Sequence, residues 1–233
     1  TFIVPHINRF QIQRFIADVG LRNMTCQNRM LDLADLVERR RIVLFYLRRG
    51  RFGEYASGLL ASQMVTRLRN VLMQRGPESQ GAPFYLYVDE FQTFADERIA
   101  ELLSEARKFG LSLTLAHQFA AQLPPAILHA VIGNVGTSVL FRIGSADAAA
   151  LEPLVSPIFR VADLVALDNF RAYVHGTDDL GTVPFSIDTL PLPDDGDDER
   201  ADWAREHSRL AYGRPRADVE VEIDNTYHAF RGL

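Results

Sequence analysis

The apolar residues of the chain gather in short continuous runs, and the stretches between these runs carry apolar residues at helical spacing. Such runs are typical of the strands of a sheet that is covered by helices. The first, IVLFYL, is expected to be buried on both of its faces. The predicted strands are Ile42–Leu47, Phe84–Val88, Leu111–Ala116 and Thr137–Ile143, with Phe170–Gly176 as a candidate fifth.

Helices are predicted between these strands. Tyr55–Arg75 has apolar residues near a spacing of 3.6 and contains no proline, and Leu31–Arg41 reads as a shorter amphipathic helix with a basic end. Gly110 is expected to end a helix that precedes the third strand. Pro124 and Pro125 are expected to begin the next one. A further short helix is predicted over Ser145–Val155, near a cap at Ser145 or Asp147.

Strands that alternate with helices predict an α/β fold, with a mostly parallel sheet flanked by helices on both faces. A Pro/Asp/Gly linker, Pro191–Arg200, precedes a last segment that is expected to form one or two surface helices. We therefore expect one domain over residues 1–186, and an acidic linker with a short helical tail over residues 187–233. Because the chain begins with Thr1, the domain is expected to be incomplete at its N-terminus.

Composition narrows the possible classes of protein. The 233 residues are 47% hydrophobic, which is enough for one well-packed domain. A net charge of -5 gives no overall nucleic-acid signature. The one cysteine, Cys26, excludes an internal disulfide framework and fits a reducing, cytoplasmic compartment. No apolar run approaches the ~20 residues of a membrane helix, and no signal-peptide pattern is present.

Polar side chains follow two of the predicted strands at the point where each strand ends. Asp89 and Glu90 come directly after the strand FYLYV, and Gln118 closes the next strand, LSLTLAHQ. Arg107 and Lys108 end the helix between them. Ligands of open α/β sheets bind outside the carboxyl ends of the strands. These ends are therefore the candidate functional site.

This set of groups is the one that nucleotide hydrolysis needs. One carboxylate holds Mg²⁺, a second acts on the attacking water, an amide contacts the γ-phosphate, and an arginine stabilises the developing charge. The phosphate-binding loop G-x-x-x-x-G-K-[ST] is missing, since the only lysine, Lys108, lies in ARKFGL. If the acid pair is a Walker B motif, this loop lies N-terminal to Thr1 or on another chain.

Several motifs in order resemble a known family: RRIVLFYLRRGRFGE, FYLYVDEFQTF, LLSEARKFGLSLTLAHQ and VIGNVGTSVLFRIGSADA. Together they cover about Leu31 to Gly176. They resemble the HerA/FtsK-like branch of P-loop ATPases, and within it the type IV secretion coupling proteins of the TraD/TraG kind, which are conjugative DNA-transfer motors. The resemblance implies a RecA-like ATPase core, here without its Walker A segment. AYGRPRADVEVEI near the end also looks like the tail of some members.

The resemblance implies a role for each matching position. Asp89 is the Walker B acid that holds Mg²⁺ through water, and Glu90 is the catalytic carboxylate that acts on water. Gln118 is the sensor amide. Arg107 is the arginine finger, which acts on the nucleotide of a neighbouring subunit. Arg142 ends a strand, and we expect either a second cation on the phosphate side or a salt bridge at the edge of the core.

The resemblance also implies partners. The cofactors are ATP and Mg²⁺, and the full-length protein is a homo-hexamer that moves DNA through a central channel with a relaxase or other secretion components. The location is cytoplasmic, at the inner face of the bacterial membrane where an N-terminal anchor is present. Arg48, Arg49 and Arg51 are candidates for contacts with DNA phosphates, and the alternative is that they are solubilising charges beside a buried strand.

Two other functions stay open at this stage. The chain is either part of the motor or a non-catalytic module that binds DNA or a protein of a DNA-transfer system. A two-metal nuclease that uses Asp89, Glu90 and Asp147 is the third reading, although it leaves the amide and the arginine without a task. His117 is expected to be a packed strand-end histidine, and no histidine pattern favours a zinc site.

Overall fold

The computed structural model describes residues 17–29, 31–47, 49–74, 83–95, 97–176, 183–193 and 196–231. The chain divides into two units, one formed by Thr1–Ala61 with Asp194–Leu233 and the other by Ser62–Pro193. The division into an ATPase part at residues 1–186 and a tail at residues 187–233 stays a prediction. No helix among the described residues is long and apolar enough to cross a membrane.

Helices and strands alternate over most of the described chain. In order they are α1 (Val19–Thr25), α2 (Leu33–Glu38), α3 (Arg49–Gln74), β1 (Phe84–Val88), α4 (Glu97–Glu105), β2 (Leu111–Leu115), α5 (Pro125–Asn134), β3 (Thr137–Leu140), α6 (Ser145–Val155), α7 (Val161–Val165), β4 (Arg171–Gly176), β5 (Phe185–Asp188), α8 (Asp198–Tyr212) and α9 (Arg216–Arg231). Short 3₁₀ turns occupy Phe91–Phe94, Ala106–Phe109 and Ala120–Gln122.

Local sequence signals set several helix ends. The side chains of Asp18, Asp32 and Asp197 accept hydrogen bonds from backbone N–H groups in the first turns of α1, α2 and α8. Each thereby satisfies a donor that the helix itself cannot. Gly110 ends the turn before β2 with φ of 65°, a left-handed conformation that glycine adopts without strain. Pro125 stands in the first turn of α5, as predicted.

Among its described residues, the unit of Thr1–Ala61 and Asp194–Leu233 contains helices and no strand. Leu21 of α1 packs against Ala56 and Leu60 of α3, with Leu47 and Phe52 beside them. Helix α9 contacts α1 through polar groups as well, since Asn23 donates to Glu220 over 3.2 Å. Helix α8 has no buried residue.

The unit of Ser62–Pro193 holds both sheets. Strands β1 and β2 pair in parallel, with Phe84 opposite Leu111 and Val88 opposite Leu115. One face of this pair packs against α5, where Val88, Phe91, Leu123 and Ile127 form a buried cluster. Arg69 of α3 bridges to Glu105 at the end of α4 over 3.1 Å. The predicted α/β class, with parallel strands at the acid pair, is confirmed.

The second sheet has the order β3–β4–β5 and is antiparallel. This differs in detail from the largely parallel sheet that the alternation of elements predicts. Leu140 of β3 lies on a buried cluster with Leu151 and Val155 of α6 and Leu164 of α7. Tyr173 of β4 also packs there, and its ring stacks on Phe159 at 3.7 Å between centroids. The sheet is thereby held against two helices.

The strand predicted over Ile42–Leu47 is wrong. The structure has no strand over these residues, and Ile42 and Leu44 are 92% and 86% exposed. An apolar run becomes a buried strand only where a neighbouring strand supplies backbone hydrogen bonds. Within the described residues no strand pairs with it.

Three short elements, α1, α7 and β5, were not predicted from the sequence. Each is too short for a helical or strand-like spacing of apolar residues to be recognised.

Candidate active site

The turn after β1 places Glu90 in an unusual backbone conformation. Its φ of 52° and ψ of 40° lie in the left-handed region, which is uncommon for any residue except glycine. The backbone N–H and the hydroxyl of Thr93 both donate to the carbonyl oxygen of Glu90, over 3.0 and 2.7 Å. Phe91 anchors the turn, since its ring is 0% exposed. Strain of this kind is held in place only by surrounding structure, and it is concentrated at functional sites.

The end of β2 meets this turn through the backbone. Ala116 donates its N–H to the carbonyl of Val88 over 2.9 Å, and Phe91 donates to the carbonyl of Ala116 over 3.1 Å. These bonds continue the parallel pairing beyond the last strand residues. The loop that carries Gln118 therefore lies beside the turn that carries Glu90.

The two predicted site residues meet directly. Nε2 of Gln118 donates to Oε1 of Glu90 over 2.6 Å, a short bond of the kind that a charged acceptor forms. Asp89 adjoins them and is exposed, and its Oδ1 accepts the backbone N–H of Glu90 over 2.9 Å. The structure thus brings Asp89, Glu90 and Gln118 to one edge of the parallel pair. Their roles in hydrolysis stay predictions.

A residue that the sequence analysis missed completes the group. Nε2 of Gln92 donates to Oε2 of Glu90 over 2.7 Å, so that each carboxylate oxygen of Glu90 accepts from a different glutamine. The available signal was the position of Gln92 two residues after the acid pair. The contact lies in a turn with a left-handed residue at Glu90, which periodicity does not reveal.

His117 lies behind the site and is packed, as predicted. Its ring meets Phe91 edge to face, with centroids 5.2 Å apart. Burial lowers the pKa of His117, and this outweighs the opposing effects of a hydrogen bond with the backbone of Phe119 and of the charge of Asp147. The imidazole is therefore favoured in its neutral form.

Asp147 makes a structural contact with the loop after β2. It is 6% exposed, in the first turn of α6, and its Oδ1 accepts the N–H of Ala121 over 3.1 Å. Within the part of the chain that the structure describes, no group of three His, Cys, Asp or Glu side chains could hold a metal ion. The described residues therefore do not form the two-metal site that the nuclease hypothesis requires.

Among the described residues, the side-chain partners of the Glu90 carboxylate are two glutamines and not the predicted arginines. Arg107 is exposed on the turn before β2, at the opposite end of the strands from Gln118, and five strand residues span about 13 Å. Arg142 is exposed and donates to Oδ1 of Asn169 over 2.9 Å, a contact with an amide and not a salt bridge. Arg48 and the side chains of Arg49 and Arg51 lie outside the described residues.

Comparison with known proteins shows which solved structures share the fold of this chain. No family model matches the chain, and no curated protein matches it. The bacterial conjugative coupling protein TrwB, in a sulphate complex, matches with a TM-score of 0.58 and 15% identity over 70% of this chain and 44% of that one. TrwB with ADP and Mg²⁺ gives 0.56 and 12% over 70% and 43%. TrwB with the ATP analogue ADPNP gives 0.55 and 13% over 70% and 43%.

The chain spans less than half the length of these solved structures. At such identities the likeness concerns the fold, which is the RecA-like α/β core that the sequence motifs implied. Over 70% of its length the chain therefore shares the fold of part of the conjugative coupling protein TrwB, and the predicted resemblance to coupling proteins is confirmed at the level of the fold.

Proposed function

We propose that this chain carries the acidic and sensor half of the ATP-hydrolysing site of a DNA-translocating motor, of the kind that couples conjugation to type IV secretion. The observation that carries the proposal is the hydrogen bond from Gln118 to Glu90 across the ends of two parallel strands. The coupling-protein fold supports it, because ligands of such sheets bind at this edge.

Three residues divide the work at the strand ends. Asp89 holds Mg²⁺ through water, and the bound ion supplies charge neutralisation at the phosphates. Glu90 orients the attacking water and accepts its proton. Gln118 has a second N–H on Nε2, which donates to the γ-phosphate while the first holds Glu90. The glycine-rich loop with its lysine comes from outside this sequence, because the sequence contains no such loop.

Two arginines supply the positive charges of the proposed site. Arg107 acts in trans as the arginine finger, since it is exposed and stands at the opposite end of the strands from Glu90. A finger in trans requires a ring, and a homo-hexamer is the assembly that the family resemblance implies. Arg142 is the second cation on the phosphate side, and this requires that it leave Asn169.

The proposal also covers the substrate, the partners and the location of the motor. DNA is the moving substrate, and Arg48, Arg49 and Arg51 contact its phosphates. A relaxase or another secretion component is the protein partner. The motor works in the cytoplasm at the inner face of the bacterial membrane. Residues 1–186 belong to the ATPase core and residues 187–233 form the linker and tail.

The alternative is a non-catalytic module that binds DNA or a protein of a DNA-transfer system. The observation that favours it is the absence of G-x-x-x-x-G-K-[ST] from this sequence. In that case Glu90 and Gln118 form a structural hydrogen bond only.

The deciding experiment compares this chain with a longer protein that includes the upstream coding segment. We expect only the longer protein to bind and hydrolyse ATP with Mg²⁺, with specific activity that rises with protein concentration as rings form. Glu90→Gln should abolish hydrolysis and keep binding. Glu199→Gln, the same charge change in the first turn of α8, is the matched control. If the longer protein does not bind ATP, or Glu90→Gln hydrolyses it normally, the binding module is the better description.

A further inference from the structure

The carboxylate of Glu90 is held by two glutamines that come from different parts of the unit. Gln118 reaches it from the loop after β2, over 2.6 Å, and Gln92 reaches it from the turn after β1, over 2.7 Å. Hydrogen bonds to an ionised acceptor are roughly twice as strong as neutral ones. The two amides therefore fix both the place and the orientation of the carboxylate plane.

The orientation in which Gln92 donates to Glu90 leaves the amide oxygen of Gln92 without a hydrogen bond. Its Oε1 is buried and has no hydrogen-bond partner among the described residues. A buried acceptor without a partner is unfavourable, because it has given up its hydrogen bonds with water. Rotating the amide by half a turn would bring Oε1 towards Oε2 of Glu90, where two oxygens repel each other. The negative charge of Glu90 therefore decides the orientation of the amide.

The two glutamines differ in what else they can reach. Gln118 is exposed at the edge where a phosphate would lie, whereas Gln92 is half-buried in the 3₁₀ turn that begins at the fully buried Phe91. Phe91 fixes the backbone of this turn, so the base of the Gln92 side chain is fixed as well. When the second N–H of Gln118 donates to a nucleotide, Gln118 is shared between two acceptors, whereas the hydrogen bond from Gln92 serves Glu90 alone.

We propose that Gln92 is a positioning residue for Glu90. It donates to Oε2 and keeps the carboxylate oriented at the strand end, while Gln118 is left able to contact the nucleotide. This inference rests on the proposed function for its effect on hydrolysis. The hydrogen bond itself is a property of this chain and is testable without nucleotide.

The first test uses the chain itself and the side-chain amide resonances of its glutamines in ¹H–¹⁵N spectra. Glu90→Gln removes the charged acceptor, so we expect the amide resonances of Gln92 and Gln118 both to shift and their proton exchange to become faster. The amide of Gln122, which stands on the 3₁₀ turn Ala120–Gln122, is the internal control. A Gln92 resonance that does not respond to Glu90→Gln would overturn the proposal, whether or not the protein is an ATPase.

The second test uses the longer protein in steady-state ATP hydrolysis. Gln92→Met keeps the length and the packing of the side chain but removes the donor. We expect kcat to fall about tenfold with KM for ATP unchanged, because an interaction with a catalytic group is lost and ground-state binding is not. Gln122→Ala should keep the wild-type kcat. A Gln92→Met variant with wild-type kcat would show that Gln92 serves packing alone and would overturn the proposal.

Discussion

The ring of Phe91 stands edge-on against the imidazole of His117, with centroids 5.2 Å apart and planes at 84°. Phe91 directly follows Glu90, and His117 directly precedes Gln118. The contact therefore joins the two chain segments that carry the hydrogen-bonded site residues. Aromatic pairs in this geometry add about 0.5–1.5 kcal/mol beyond the area that they bury.

Removal of the Phe91 ring should be costly. Phe91→Ala is expected to lower the free energy of unfolding by about 3–5 kcal/mol, since the ring is fully buried and the cavity would not collapse completely. Denaturant unfolding followed by circular dichroism measures this loss. Phe185→Ala, at a ring that is 53% exposed on β5, is the matched control and should cost much less. Equal losses in the two variants would contradict the anchoring role of Phe91.

The protonation of His117 should link stability to pH. Burial lowers its pKa below the ordinary 6.5, so the folded chain binds fewer protons than the unfolded chain between the two values. Its contribution to stability is present above pH 6.5 and is lost as the pH falls through 6.5 towards the folded pKa. Unfolding midpoints across this range should depend less on pH in His117→Asn than in the wild type. His129→Asn leaves His117 in place, and an equally flattened profile there would count against this assignment.

Asp147 should stabilise the loop after β2. Asp147→Ala leaves the N–H of Ala121 without its acceptor, and we expect a loss of about 1–3 kcal/mol together with faster hydrogen exchange at Ala121. Asp147→Asn keeps an oxygen at the acceptor position and should lose less. Asp202→Ala, at an exposed acid of α8, controls for the removal of a charge. Unchanged exchange at Ala121 in Asp147→Ala would contradict the contact.

The proposed role of Arg107 as a finger in trans predicts complementation between subunits of the longer protein. Arg107→Ala and Glu90→Gln should each be inactive alone. Mixed in equal amounts they should recover about a quarter of the wild-type rate, because one interface in four then joins an intact Glu90 to an intact Arg107. The measurement is the ATPase rate after mixing and reassembly. A mixture as inactive as its parts, with Lys108→Ala fully active as a control, would mean that Arg107 and Glu90 do not act across an interface.

The most accurate predictions from the sequence concern elements whose ends are marked by a glycine or a proline. Gly110 and Pro125 mark a helix end and a helix start, and both lie where the structure has them. The meeting of Glu90 and Gln118 was also predictable, because the carboxyl ends of neighbouring parallel strands share an edge. In this case the order of strands along the sequence is enough to predict which residues meet in the tertiary structure.

The remaining features depend on partners that lie far away in the sequence or on unusual backbone angles. The run Ile42–Leu47 has the composition of a buried strand, but composition does not say whether another strand pairs with it. Gln92 donates to Glu90 within a turn in which Glu90 adopts a left-handed conformation, and this conformation is too rare for a pattern argument to assume it. The side-chain geometry of this turn is therefore set by tertiary structure and by an unusual backbone angle, which the sequence pattern does not reveal.

Helix α8 carries the only tryptophan of the chain, and this determines what a fluorescence experiment on the protein observes. Trp203 is 65% exposed and stacks on the ring of His207. Its emission reports the solvent contact and the winding of that helix, and quenchers in solution have direct access to it. A fluorescent reporter for the strand ends must instead be introduced by substitution. It is introduced into Trp203→Phe, which has no tryptophan emission of its own.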